Sequence, residues 1–344
     1  CTSNLPDVAV VPSENFNAIA YTGTGANQVV TGLGFQTDFL WFKNRSLGYG
    51  HILLDTVRGL SKPLASDDSD AEYTFAYVSS VSNGSITTAS SQYPTNNTGS
   101  AIVTWNWKAN GSGSSNTDGS INTTKTSANV DAGFSIVTYS GNGTAGATVG
   151  HGLSKAPEMI MVKRRNASEM GWRVLHHANA ANYHLVLDTN GARASSSSIW
   201  NNTAPTADVF SLGSGGSTNN SSGTYIAYCF HSVDGYSAVG SYVGNGNADG
   251  TFVYTGFRPK FILTKNSSAS STSWVLTDTS RSTYNVTSNA LMADAVTAEQ
   301  AYTYFDITSN GFKARNSSSW VNGSGNTIIY LAFAETPFKY SNAR

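Results

Sequence analysis

Two aspartates sit in matching words, LLDT at Asp55 and LTDT at Asp278. A pair of carboxylates held roughly 5–10 Å apart can hydrolyse a glycosidic bond. Here each acid is followed by Thr and then, three positions on, by Arg: Asp55-x-x-Arg58 and Asp278-x-x-Arg281. That spacing reads first as a capped turn closed by an ion pair. The six histidines are His51, His151, His176, His177, His184 and His231, and none forms an HExxH or His-x-His word. His176 and His177 are adjacent, so a strand would point them to opposite faces. A metal held by one of them with His184 is the alternative, and packing or surface roles are preferred. DDSD at 67–70 and NGNADG at 245–250 could attract calcium, but neither has EF-hand spacing. The sequence contains no GxSxG elbow with a triad order and no phosphate-cradling loop ending in Gly-Lys-Ser/Thr. No catalytic, cofactor or metal residue is therefore assigned, and the expectation is a non-enzyme without a cofactor.

Aromatic side chains offer another chemistry, stacking on sugar faces. Trp41, Trp105, Trp172 and Trp274 lie in or next to strand-like words and are read as core. Trp200 and Trp320 follow the serine-rich stretches SSSSIW and NSSSW, which makes them the candidates for surface recognition at loop tips.

The elements that would position these residues repeat. Gly23/Gly25, Gly141/Gly143 and Gly244/Gly246 each follow an aromatic, Tyr21, Tyr139 and Tyr242. An apolar run ending in Lys comes next: DFLWFK at Lys43, EMIMVK at Lys163 and KFILTK at Lys265. HILLDT, WRVLHH and WVLTDT form a third anchor, and VTWNW, IAYCF and IYLAF a fourth. Self-similarity of this kind marks a copied unit of about 100 residues. In IAYCF, period two sends Ile226, Tyr228 and Phe230 one way and the small Ala227 and Cys229 the other. The bulky set is expected to fill the core of a β sandwich. EMIMVK is apolar on both faces, as a strand would be if a neighbouring unit covered one side. The YxGxG words read as turns that need Gly.

The expected fold is all-β: three tandem related β-sandwich, jelly-roll-like units with short helical insertions. The boundaries are 1–123 for the first unit plus its linker, 124–233 for the second and 234–344 for the third. Residues 109–131 are polar and turn-rich and read as a loop or linker. ALMADAVTAEQAY and its poorer counterpart LASDDSDAEY read as a short surface helix or ordered loop.

Bulk composition narrows the partners. Charged residues are only 12% and the formal net charge is -1, so there is no basic field for a phosphate backbone or a membrane surface. No window has about 18 or more continuous apolar residues, which argues against membrane insertion by a helix. Two cysteines are too few for a disulfide scaffold; Cys229 reads as a small buried hydrophobe. Cys1 in place of Met points to processing, engineering or an upstream portion, with acylation of a secreted lipoprotein as the alternative. Fourteen N-x-S/T sequons decide nothing in a chain so rich in Asn, Ser and Thr.

The phrases CTSNLP, FxxxxYTGTG, GFSIVTYSGNGTAGATVGHGLSKAPEMIMVK, YIAYCFHSVDGYSAVGSYVGNG, FVYTGFRP and AFAETPFKYSNAR carry a resemblance. They are similar to structural proteins of marine tailed bacteriophages, those labelled tail-fibre or tail-appendage proteins, over essentially the whole chain. The resemblance implies a virion component on the particle exterior. It also implies a homo-oligomer in contact with other virion proteins, leaves room for contact with host-surface glycans, and transfers no site residues. Two other readings stay open: a secreted or lipid-anchored carbohydrate-binding surface protein, and a phage polysaccharide depolymerase.

Overall fold

The computed structural model describes residues 10–335; the Cys1 reading falls outside them. The regular structure of the described chain is mostly antiparallel strand, with four α-helices of one turn each and a short 3-10 turn at Pro12–Glu14. Each repeat makes one large sheet and one small sheet. In the first unit the large sheet pairs Phe16–Thr22, Ala101–Trp107, Phe39–Asn44 and Ile52–Asp55 in that order. Gln28–Thr31, Ser85–Thr88 and Val78–Ser82 form the small one. The third unit repeats this plan, with Ser237–Val243, Thr327–Ala334, Pro259–Asn266, Val275–Asp278 and the edge strand Leu291–Met292. The second extends its large sheet to seven strands and reduces the small one to Ala147–Gly150 with Val209–Leu212.

Strand register fixes which residues correspond. Phe39 pairs with Trp107, Met159 with Phe230 and Phe261 with Phe333. The alternation then sorts the two faces of every large sheet. Leu40, Phe42, Leu54 and Ile102 face the small sheet of their own unit, as do Ile160, Val162, Ala227 and Cys229 in the second, and Ile262, Val275, Ile328 and Ala332 in the third. The bulky faces do something else. Trp41, Trp105, Trp107, Met159, Met161, Tyr228, Phe230, Phe261, Leu331 and Phe333 all belong to one cluster drawn from all three units. The bulky set of the last-strand words was expected inside each sandwich. It packs instead between sandwiches, because period two gives each sheet two apolar faces and the small sheet can cover only one. EMIMVK is covered on both sides in this way.

Corresponding residues meet at the centre. Trp107, Phe230 and Phe333 touch pairwise, with centroids 6.4, 5.7 and 6.2 Å apart. Trp107 also contacts Phe16, Phe39, Phe134 and Phe261. The three units therefore surround a pseudo-threefold axis filled with aromatic rings.

Of the two readings of residues 290–302, helix or ordered loop, the structure has the ordered non-helical one. Leu291–Met292 pairs with Val275 and Leu276, Ala293 N–H donates to Trp274 O, and Glu299 N–H donates to Arg45 O. A segment this short nucleates helix poorly, and its backbone groups find partners elsewhere. The 109–131 stretch is not a free linker: Ile121 is buried and bridges to Val149, and Ser114 bridges to Thr126. Lys125–Asn129 is the outer strand of the second unit's large sheet.

Candidate functional site

The residues singled out for chemistry lie mostly where the units meet. Asp55 and Asp278 have fully buried carboxylates, each in an ion pair at 2.6 Å with Arg58 or Arg281. Each acid also accepts from the next unit around the ring: Asp55 from Tyr228 Oη at 2.8 Å, Asp278 from Trp105 Nε1 at 2.9 Å. They occupy two different interfaces and lie in no common groove. The arginines continue outward. Glu72 joins Arg58 to Arg165, and Glu299 joins Arg281 to Arg45. Burial works against the Glu72 carboxylate, but the hydrogen bond from Arg165 and the charges of Arg58 and Arg165 outweigh it and hold its pKa below the usual range.

The third interface uses different residues at the same positions. Glu72 N–H donates to Arg165 O, Glu299 N–H to Arg45 O and Arg193 N–H to Ser267 O, so Arg193 stands where the others have Glu. His176 stands for Asp and Asn179 for Arg. Arg193 Nη1 donates to Asn179 Oδ1 at 2.9 Å, and His176 Nε2 donates to Tyr330 O at 3.4 Å. The change of sign is coherent: when the acid becomes Arg, its basic partners become Asn and Ser. Arg193 thus keeps an acceptor in Asn179, and no carboxylate or second arginine faces it unpaired at that pair of positions.

Two further bonds recur in all three interfaces. Lys43, Lys163 and Lys265 direct their ammonium groups to Val296 O, Ser69 O and Asn190 O, always one unit back around the ring. Burial lowers the pKa of each to about 8. A ring nitrogen does the same just before the next strand of each large sheet. His51 Nε2, Trp172 Nε1 and Trp274 Nε1 donate to Met292 O, Ala65 O and Val186 O. His51 Nδ1 accepts from Trp41 Nε1 at 2.8 Å, which fixes the neutral tautomer.

The YxGxG words close the outer ends. Tyr21, Tyr139 and Tyr242 donate to Thr95 O, Thr218 O and Val321 O. The next residue of each one-turn helix is a fully buried Asn: Asn96, Asn219 or Asn322. Its Oδ1 accepts from a loop N–H, that of Thr24, Asn142 or Asn245, and its Nδ2 donates to loop carbonyls. At the first Gly of each pair a Cβ would lie 2.3–2.4 Å from a backbone oxygen. The second Gly has φ between +68° and +74°. These asparagines were missed in the sequence; their constant distance before the last strand word was the available signal.

Trp200 is not a surface residue. It is fully buried with Ile199 under the second sandwich, because the helix Ser197–Trp200 turns its apolar pair inward. Trp320 is half-buried, with its ring 6.1 Å from that of Tyr302, which is 44% exposed. Asp67 of the DDSD loop caps His51 N–H, and Asp249 of NGNADG pairs with Lys313. Among the described residues no group of three or more His, Cys, Asp or Glu side chains is placed to hold a metal. His176 and His184 serve separate elements, and burial lowers their pKa to about 3 and about 4.

The second unit carries a half-open cavity of ≈ 600 Å³. Ala156, Pro157, Leu175, Ala204 and Pro205 give it apolar walls, and Glu158, His177 and His231 give it polar ones. Glu158 Oε2 accepts from Ser232 N–H and from its hydroxyl. His231 is 4% exposed. Its Nδ1 donates to Ser232 O at 3.0 Å, so Nε2 is an acceptor; it is buried and has no partner among the described residues.

Residues 11–337 match a family model described as a domain of unknown function, DUF7483. The chain belongs to that family. No curated protein and no solved structure matches it. The DUF7483 match spans all three sandwiches, so the closed ring of three is the unit to which a function has to be fitted.

Proposed function

We propose that this chain is a non-enzymatic structural component of a tailed-phage particle, an external appendage or fibre segment. It would be a block in which one chain does the work of a trimer. The observation that carries the reading is the cyclic set of bonds between units. The Asp, Arg, Lys, His and Trp side chains most able to do chemistry are held against each other around the shared aromatic axis. Committing polar groups in this way favours rigidity over turnover. The phrases shared with phage appendage proteins support the particle assignment. An exterior position, self-association and contact with other virion proteins belong to the same proposal. Contact with a host glycan is favoured by one feature, the Trp320 and Tyr302 rings at the surface of the third unit. Antibody-labelled electron microscopy of purified particles tests the proposal: label on intact virions supports it, and absence of the chain from washed intact virions rejects it.

A further inference from the structure

The cavity of the second unit has a filled counterpart in the third. The register that equates Met159 with Phe261 equates Ala156 with Arg258, and the one that equates Phe230 with Phe333 equates Ser232 with Glu335. His177 likewise corresponds to Thr279. In the third unit these positions form a closed cluster. Arg258 Nε donates to Glu335 Oε2 at 2.5 Å and Nη1 to Ile307 O at 3.1 Å, while Thr279 Oγ1 donates to Glu335 Oε1 at 3.1 Å. Ile307 lies on the strand before the paired Phe312, and the second unit replaces that strand with the chain carrying Ala204 and Pro205, ahead of Phe210. Arg-to-Ala, Glu-to-Ser and the lost strand together leave open the place that a guanidinium occupies one unit away.

One carboxylate faces the opening: Glu158, whose Oε1 has no partner among the described residues. His231 lines the cavity, with its Nε2 buried behind the surface. Ala156, Pro157 and Pro205 offer a surface for an aliphatic stem. Lys155, at the rim, is exposed to solvent.

We infer that this cavity takes an arginine side chain presented by a partner protein, seated as Arg258 is seated in the third unit. The stem lies along the Ala and Pro wall, and the guanidinium donates to Glu158 Oε1, a charge-assisted contact that suits its planar fork, with the His177 and His231 rings beside it. The inference gives the proposed assembly role a specific docking point, yet it rests on the cavity alone. It can fail while the particle assignment stands, and the reverse also holds.

The test is a titration of the full chain, followed by NMR of the histidine imidazoles, with N-acetyl-arginine amide as the probe. The isosteric uncharged N-acetyl-citrulline amide and N-acetyl-lysine amide are run beside it. Saturable shifts at His231 and His177 with the arginine probe are expected, at least tenfold weaker with the other two. The double variant Ala156→Arg, Ser232→Glu refills the cavity with the cluster of the third unit and should abolish the shifts. Glu158→Gln keeps an acceptor for Ser232 and should weaken binding about tenfold. Equal responses to citrulline, or shifts that persist in the refilled variant, would overturn the inference.

Discussion

Single residues are sensitive here according to how completely their polar atoms are satisfied. Arg58 and Arg281 have side chains with no exposure, each holding a buried aspartate and an outer glutamate. Arg281→Met leaves Asp278 buried with only Trp105 and the residue 281 amide as donors, so it should cost about 3–5 kcal/mol, measured by urea unfolding. A Glu72→Gln change keeps the geometry; Arg58 still has Asp55, and the charge left unmatched is that of Arg165, whose side chain is partly exposed, so it should cost well under half of that. The histidines give a pH dependence of definite sign. Burial first, then the neighbouring His177, lowers the His176 pKa from 6.5 to about 3. A folded pKa below the unfolded one means that the unfolded chain binds more protons. Stability is then complete above pH 6.5 and falls as pH drops toward 3. Roughly 5 kcal/mol is at stake from the size of the shift, and His51, pushed well below its ordinary value by burial and Lys43, adds in the same direction. Asp67, raised to about 6 by burial, works oppositely: its stabilisation grows as pH falls from 6 toward 4. The test is a pair of thermal melts at pH 7 and pH 4.5. His176→Gln should lose less between them than the parent does, and an equal loss would remove His176 as a cause.

At the scale of elements, the one-turn helices matter for where they put an asparagine. Each is too short to be stable alone. Asn219 accepts from Asn142 and Gly143 N–H and donates to Thr144 O and Gly213 O. Asn219→Ala strands several of these groups, each worth about 1–3 kcal/mol when buried and unpaired. A loss of about 3 kcal/mol should appear in chemical unfolding, with hydrogen exchange of the 141–144 loop quickened most. Gly141→Ala tests the same loop sterically. Its Cβ would stand 2.4 Å from Asn220 O, so a cost of about 1–3 kcal/mol is expected for forced overpacking. The glycines were legible in the sequence because a Gly pair that recurs after an aromatic marks a turn no larger residue can make. The asparagine was concealed, because Asn is everywhere in this chain. Asn96, Asn219 and Asn322 are also sequon residues, yet all three are fully buried.

For the whole molecule, the aromatic axis implies that the three units fold together. Trp107 touches rings from every unit, and truncation to Ala should cost about 3–5 kcal/mol. More tellingly, calorimetry should show the single melting transition move as one, and a transition that split into three would contradict the shared core. Excised alone, residues 124–233 would bare Met159, Met161, Tyr228 and Phe230 to water. That segment should therefore aggregate or self-associate and show no cooperative monomeric transition by sedimentation and circular dichroism.

The all-β class, the triplication and the turns were written in the chain itself, through local patterns: period-two strands, repeated glycines and words returning at even distances. Even the two-faced apolar strand EMIMVK announced that a neighbour must cover it. Which neighbour was another matter. That Trp107, Phe230 and Phe333 meet on one axis, that Asp55 answers to Tyr228 and Asp278 to Trp105, and that Trp200 points inward depend on contacts between residues far apart in the chain. Alternation decides only that a side chain has a face. What lies opposite that face is set by how three nearly equal sheets close on one another, since burying three bulky faces together removes more apolar surface from water than any of them could bury alone.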